Sequence, residues 1–192
     1  MPDIVNLADD SGLRVRPPSW GTRPNSVASR VPRTSTPNPA ERMKLRDFFT
    51  PETVVLDLES EGKDDLLREL VGALELDDKS EGILVKTIKR RENLGSTGIG
   101  KGIAIPHCRS LVVNRLRLVY GRKMSGVEFH AIDQSPVHHL FLIVAPPLEV
   151  SNQYLPVLGK IAQFAKDPEV PDQLLGIDTP EEFFDLLEEH GV

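Results

Sequence analysis

Cysteine is nearly absent from this 192-residue chain, and the single Cys108 excludes an intrachain disulfide framework. Basic residues are outnumbered: 23 Lys and Arg stand against 29 Asp and Glu, a formal net charge of -6. That balance argues against a nucleic-acid binder, which needs a cationic face to release counterions from phosphates. Aromatic residues make up only 5%, and none interleaves with a basic patch. No apolar run approaches membrane-spanning length, which excludes direct membrane insertion. The first residues, MPDIVNLADDSG, lack the basic start and apolar stretch of a secretory signal, so the expected location is the cytoplasm. No internal repeat is visible. What remains, 39% hydrophobic and 27% charged, has the balance of an ordinary soluble domain with one core.

Proline is unevenly spread. Pro17, Pro18, Pro24, Pro32, Pro37 and Pro39 fall among Ser, Thr and Arg, with no helical or strand period. Such a stretch cannot bury enough surface to offset its ordering entropy. Residues 1–41 are therefore expected to be a disordered tail, and 42–192 the folded domain. The arginines of the tail (Arg14, Arg16, Arg23, Arg30 and Arg33) leave the domain more acidic than the whole chain.

Within 42–192 the pattern alternates between strand and helix. Val54–Leu58 predicts a short strand. Leu66, Leu67, Leu70, Val71 and Leu74 share one face of a helix over about 63–75, with Asp64 and Asp65 in its first turn. Ile83, Leu84, Ile88 and Arg91 mark a second helix over about 79–92, with Gly95 as its stop signal. Ile103–Ile105 is short and extended, because Pro106 disfavours helix at the residue before it. Leu116–Tyr120 and Leu140–Ala145 predict strands, the latter central because it is apolar on both faces. A helix over about 153–166 should bury Leu155, Leu158, Ile161, Ala162 and Ala165. The last helix opens on Thr179-Pro180-Glu181-Glu182, a capping box with proline at its first position. The expected fold class is α/β, an α+β sandwich in which helices flank a mixed sheet.

The unusual stretch is NLGSTGIGKGIAIPHCR, Asn93–Arg109. Gly95, Gly98, Gly100 and Gly102 permit positive φ, and the N–H groups of such a loop can hold an anion. The loop leads to His107, and Arg91 lies just upstream. It is not a Walker motif, because G-x-x-x-x-G-K-[ST] is absent, nor a dinucleotide fingerprint, because the glycines precede a strand. From the residues alone two readings stand level: phosphate chemistry at His107, or a tight turn followed by a strand-end histidine.

GSTGIGKGIAIPH resembles the active-site signature of the enzyme IIA components of the bacterial phosphotransferase system. The likeness is greatest to the fructose/mannitol class, including its stand-alone nitrogen-regulatory form. The resemblance runs over nearly all of 45–190, through DFFTPETVVLDL, the RREN-LGSTGIG junction and AIDQSPVHHLFLIVAP. It implies a phosphohistidine carrier in which His107 accepts a phosphoryl group from an HPr-like phosphocarrier, with Arg91 beside it. It implies no cofactor and no metal. It also implies a regulated target protein or a IIB component as a further partner. The chain shows no attached IIB or IIC segment, which favours regulation over a sugar-phosphorylation relay. A non-phosphorylated binding module of the same fold is the alternative.

One position departs from the family pattern. Tyr154 stands where the family usually has a second histidine, and it can donate a hydrogen bond but is not a cation near neutral pH. Pro156 fits there only if the helix begins close by. Tyr154, Gly100, Gly102 and Arg109 are candidate phosphate-binding or orienting residues. Ser96 and Thr97 are candidates for shaping the turn or for holding an anion, and Lys101 for an exposed loop position. Cys108 is expected to be buried and inert, since neighbours on a strand face opposite ways. His130, His138 and His139 lack metal-ligand spacing, and Asp133 is expected to cap a turn.

Overall fold

The computed structural model describes residues 43–148 and 152–192. The expected tail over 1–41 lies outside the described residues. Among the described residues six strands form one mixed sheet: β1 (Val54–Val55), β2 (Gly98–Gly100), β3 (Ile103–Ala104), β4 (His107–Arg109), β5 (Arg117–Val127) and β6 (Val137–Ala145). The order is β1-β5-β6-β3-β2, with β4 also pairing to β6. β5 and β6 are antiparallel, while β3 and β4 run parallel to β6 one after the other in a single register, Ile103 opposite His139 and His107 opposite Ile143.

β6 is central, as its double-sided apolar pattern requires. Phe141, Ile143 and Ala145 face one core, and Leu140, Leu142 and Val144 face the other. Helices α1 (Lys63–Gly72) and α2 (Asp78–Asn93) cover the second face, and α3 (Tyr154–Phe164), α4 (Val170–Leu175) and α5 (Pro180–Glu189) cover the first. The few aromatics are concentrated on that first face. Tyr120 stacks on Phe183 with ring centroids 4.5 Å apart, and Phe141 packs against both Tyr120 and Phe164. Among the described residues no helix is long and apolar enough to cross a membrane.

Several boundaries differ from the periodic reading. β1 is only Val54–Val55, although the Leu58 N–H still donates to the Arg122 carbonyl at 2.8 Å. β5 runs on to Val127 through a register shift after Arg122. The buried face of α2 is Leu84, Val85, Ile88 and Glu92, and Ile83 is exposed, so the stripe sits one residue further on than expected. The face of α3 is rotated the other way: Tyr154, Val157 and Phe164 are buried beside the expected Ile161 and Ala165, and Leu155 points out. In each helix adjacent positions both carried apolar side chains, and packing against the sheet chose between them. Pro156 falls in the first turn of α3, where a missing N–H costs nothing. At α5 the Thr179 hydroxyl accepts from the Glu182 N–H, but the Glu182 carboxylate takes the N–H of Asp178 rather than that of Thr179.

Two buried polar groups tie β5 and β6 to the C-terminal helices. Arg122, 6% exposed, donates through Nε to Leu56 O at 2.9 Å and through Nη1 to the carbonyls of Leu175 (3.0 Å) and Ile177. It thus satisfies carbonyls that the short helix α4 leaves unpaired at its end. His139, 1% exposed, takes a hydrogen bond from the Tyr120 hydroxyl on Nδ1 at 3.0 Å and bonds the Pro171 backbone. Proline offers only a carbonyl, so the other ring nitrogen carries the proton and the imidazole is neutral. Burial, reinforced by the nearby His138 and Arg122 charges, lowers its pKa to about 4.

The sign of the resulting pH dependence follows from linkage. The unfolded chain takes up this proton near pH 6.5, whereas the folded chain resists it down to about pH 4. Stability is therefore unaffected by His139 above pH 6.5 and falls by about 3 kcal/mol as the pH drops towards 4. Urea denaturation from pH 8 to pH 4 should show this loss, and His139→Gln should flatten it.

Candidate functional site

His107 opens β4, directly after Pro106 interrupts the extended segment that holds β3. The site is built from the glycine hairpin upward. Glu92, buried at the end of α2, accepts from the Thr97 N–H at 2.9 Å and from the Thr97 hydroxyl at 2.6 Å, and pairs with Lys63 Nζ at 2.9 Å. The Thr97 carbonyl accepts from the Ile105 N–H at 3.0 Å. The Ile105 carbonyl in turn accepts from His107 Nδ1 at 2.8 Å. A carbonyl can only accept, so Nδ1 holds the ring proton and Nε2 presents a lone pair.

Strand alternation puts Arg109 on the same face as His107 and sends Cys108 to the other. Tyr154, at the start of α3, lies against both. Its ring centroid is 6.4 Å from that of His107, and the Arg109 guanidinium carbon lies 4.6 Å above the Tyr154 ring. Arg109 Nη1 also donates to Pro146 O at 3.0 Å, just beyond the end of β6. The structure thus brings together three of the predicted residues: a half-buried histidine with one nitrogen tethered, a permanent cation and an aromatic surface under that cation.

The remaining predicted residues are placed differently. Arg91 donates to the Gly95 carbonyl at 2.9 Å, closing the turn after α2, and α2 itself packs against β4. Gly100 and Gly102 have φ of +89° and +72° and shape the β2–β3 hairpin. A Cβ at Gly100 would meet the Asp133 carboxylate at 3.1 Å, and one at Gly102 the His138 ring at 3.3 Å, so both glycines allow close packing onto the 131–138 segment. Asp133 caps that hairpin. The N–H groups of Lys101 (2.8 Å) and Ser135 hold its carboxyl below the usual range. Ser96 and Thr97 shape the turn, Ser96 by donating to the Phe129 carbonyl at 2.8 Å. Lys101 Nζ reaches the Lys166 carbonyl beyond the end of α3 at 2.7 Å. His130 carries positive φ on an exposed turn beside Glu128.

Residue periodicity missed Glu92 and the Ile105 carbonyl. Glu92 carried a signal, because it continues the Leu84, Val85, Ile88 stripe at helical spacing. The carbonyl had none, since backbone orientation at Ile105 is set by pairing rather than by side-chain type.

A family model described as "Phosphoenolpyruvate-dependent sugar phosphotransferase system, EIIA 2" matches residues 47–190. The chain belongs to this family. A PTS system fructose-specific EIIABC component of Bacillus subtilis is 31% identical over 77% of this chain. That match takes in only 24% of the relative, so the chain spans about a quarter of its length. A nitrogen regulatory protein of Bradyrhizobium diazoefficiens is 27% identical over 76% of this chain and 95% of that protein. The crystal structure of nitrogen regulatory protein IIA-Ntr from Neisseria meningitidis superposes with a TM-score of 0.68 at 29% identity, covering 74% of this chain and 98% of that one. The EIIA fold thus accounts for the sheet order and for the two helical layers.

Within this EIIA domain Cys108 has no part in the chemistry of the face opposite. It packs with Leu142 and Val144, and burial pushes its thiol up to about 12. A disulfide reagent at pH 8 should leave Cys108 unmodified in the native protein and titrate one thiol after denaturation. Rapid native labelling would contradict the burial.

Proposed function

We propose that this EIIA domain is a phosphocarrier that accepts a phosphoryl group on Nε2 of His107 from an HPr-like phosphocarrier. The observation that carries the reading is the hydrogen bond from Nδ1 to the Ile105 carbonyl, which leaves Nε2 as the nucleophile. In the transfer the Nε2 lone pair forms the new P–N bond while the bond to the donor nitrogen breaks and its electron pair stays on the donor. Nδ1 keeps its proton, so His107 carries the positive charge of a phosphorylated imidazolium, and the Ile105 carbonyl faces that charge. Phosphoryl transfer asks chiefly for positioning and charge stabilisation. Arg109, braced on Tyr154 and on the Pro146 carbonyl, supplies the fixed cation on that face. Arg91, which closes the turn after α2 on the helix packed against β4, is kept as a second candidate cation from the family resemblance.

The phosphoryl group then passes to a IIB component or stays as a regulatory mark read by a target protein. Relatives of both kinds match this chain in sequence, and the nitrogen regulatory relative matches along nearly its full length. That full-length match favours the regulatory role. In this reading the relay draws on phosphoenolpyruvate, and the proposed place of action is the cytoplasm.

Incubation with phosphoenolpyruvate, enzyme I and HPr should give one acid-labile phosphate, with the ε2-phosphohistidine signature by nitrogen NMR. His107→Ala should abolish it, and Arg109→Ala should lower the rate by about 100-fold, the scale of losing one transition-state charge donor. Label that persists in His107→Ala would sink the assignment. Partners captured equally by wild type, by the phosphorylated form and by His107→Ala would instead point to the alternative, a binding module that acts by contact alone.

A further inference from the structure

Away from His107, one concave surface is lined by charges that the fold does not use. The start of β5, the short helical turns Leu45–Phe48 and Pro51–Thr53, and Gln153, the residue before α3, enclose a cleft of about 290 Å³. That volume lies at the small end of ligand pockets and suits a compact metabolite. The cleft brings a carboxylate and a guanidinium to one cavity without pairing them. Asp47 and Arg115 both line it, and both are exposed. Among the described residues neither side chain has a hydrogen bond or an ion pair.

Each charge also lacks the partner that neighbouring sequence would supply. Arg46, beside Asp47, pairs with Glu188 at 2.7 Å and lies over the Phe184 ring. Residues 93–127, which carry Arg115, contain no Asp or Glu. Arg117 lines the cleft too, but its guanidinium donates to the Leu74 carbonyl at 3.3 Å, beyond the end of α1. Unpaired charges on an open surface are solvated and ordinary. Opposite charges facing one small cleft, and not in contact with each other, form a pattern that a ligand carrying both signs completes. The rest of the lining is already fixed. The Thr50 N–H donates to Thr53 Oγ1 at 2.9 Å, and that hydroxyl donates to the Thr50 carbonyl at 3.0 Å. Fully buried Leu45 anchors the turn that carries Asp47 in the first core. Phe48 and Leu116 supply an apolar wall. A preformed cavity with an apolar wall and a few placed polar groups is the make-up of a small-molecule site.

We propose that this cleft binds a free α-amino acid with an apolar side chain. The ligand carboxylate pairs with the Arg115 guanidinium and the ligand ammonium with the Asp47 carboxylate, while its side chain lies on Phe48 and Leu116. A simple carboxylic acid leaves Asp47 unpaired and a simple amine leaves Arg115 unpaired, so the cleft selects the zwitterion. Gln153 joins the cleft to α3, because it leads directly into Tyr154. The site goes beyond the phosphoacceptor reading of His107 and does not rest on it.

The probe is L-leucine, and the readout is amide NMR of the full chain. Titration to millimolar L-leucine should shift the signals of Asp47, Arg115 and Gln153 to saturation, and His107→Ala should bind it as the wild type does. Isocaproate, which lacks the ammonium, and isoamylamine, which lacks the carboxylate, should each bind about tenfold or more weakly, the scale of one lost charge-assisted hydrogen bond. Asp47→Asn and Arg115→Gln should each weaken L-leucine by a similar factor and leave the urea midpoint unchanged, because neither side chain holds the fold together. Absence of any saturable shift with L-leucine would overturn the site. Isocaproate or isoamylamine binding as tightly as L-leucine would overturn the choice of a zwitterion. Binding that survives undiminished in both variants places the ligand elsewhere, and the proposal falls with it.

Discussion

The hydrogen bond from His107 Nδ1 to the Ile105 carbonyl decides what the site can do, and it is the last link of a chain that begins in the core. Glu92 fixes Thr97, Thr97 fixes the N–H of Ile105, and the far side of that same residue fixes the imidazole. Each link is short and uses a group with only one available role. A buried carboxylate must be paired, and here Lys63 and both donors of Thr97 pair it. The ring therefore inherits its orientation from the seam between helix and hairpin rather than from a neighbouring side chain. Pro106 makes this possible. It brings no N–H to this segment, while its carbonyl accepts from the Ile143 N–H at 2.9 Å and keeps β3 and β4 in one register on β6, and the Ile105 carbonyl turns to the histidine two residues on.

The double-sided burial of β6 sets the frame around that chain. β3 and β4 follow the same strand in parallel, and alternation along β4 sorts its residues by chemistry. His107 and Arg109 face Tyr154, while Cys108 is driven into the opposite core and is chemically silent there. Two parallel strands ending side by side also explain why the loops after Arg109 and after Ala145 emerge together, next to the start of α3. The candidate site thus lies along β4, with Arg109 at its carboxyl end, where ligand sites of α/β sheets commonly form.

Polar groups placed inside the domain carry structural work with a measurable cost. Arg122 is buried because it closes carbonyls at the end of α4 and beside β1, and His139 stays neutral because it is sandwiched between a hydroxyl donor and a carbonyl acceptor. Both lie on the strand pair that supports the site, although neither touches it. Tyr154 belongs to another class. It contributes area beneath a guanidinium, so the charge at that position comes from Arg109.

Much of the fold was legible along the chain. Fully apolar β6 had to be central, the alternation around Cys108 had to separate it from His107, and the glycine signature marked the hairpin and its histidine. Less was legible about which of two adjacent apolar residues a helix buries. The choices of Leu84 and Val85 over Ile83, and of Tyr154 and Val157 over Leu155, depend on helix rotation against the sheet, a property of the packed state. The trio His107, Arg109 and Tyr154 was present as separate candidates, but nothing in their spacing said that a residue 45 positions away would lie under the guanidinium. The sequence by itself determined the family, the layered α/β class and the candidate histidine, because periodicity and a long glycine-rich signature are local properties. Tertiary structure alone decided which nitrogen is free and which cation stands beside it, because both depend on backbone carbonyls and ring faces brought together from distant segments.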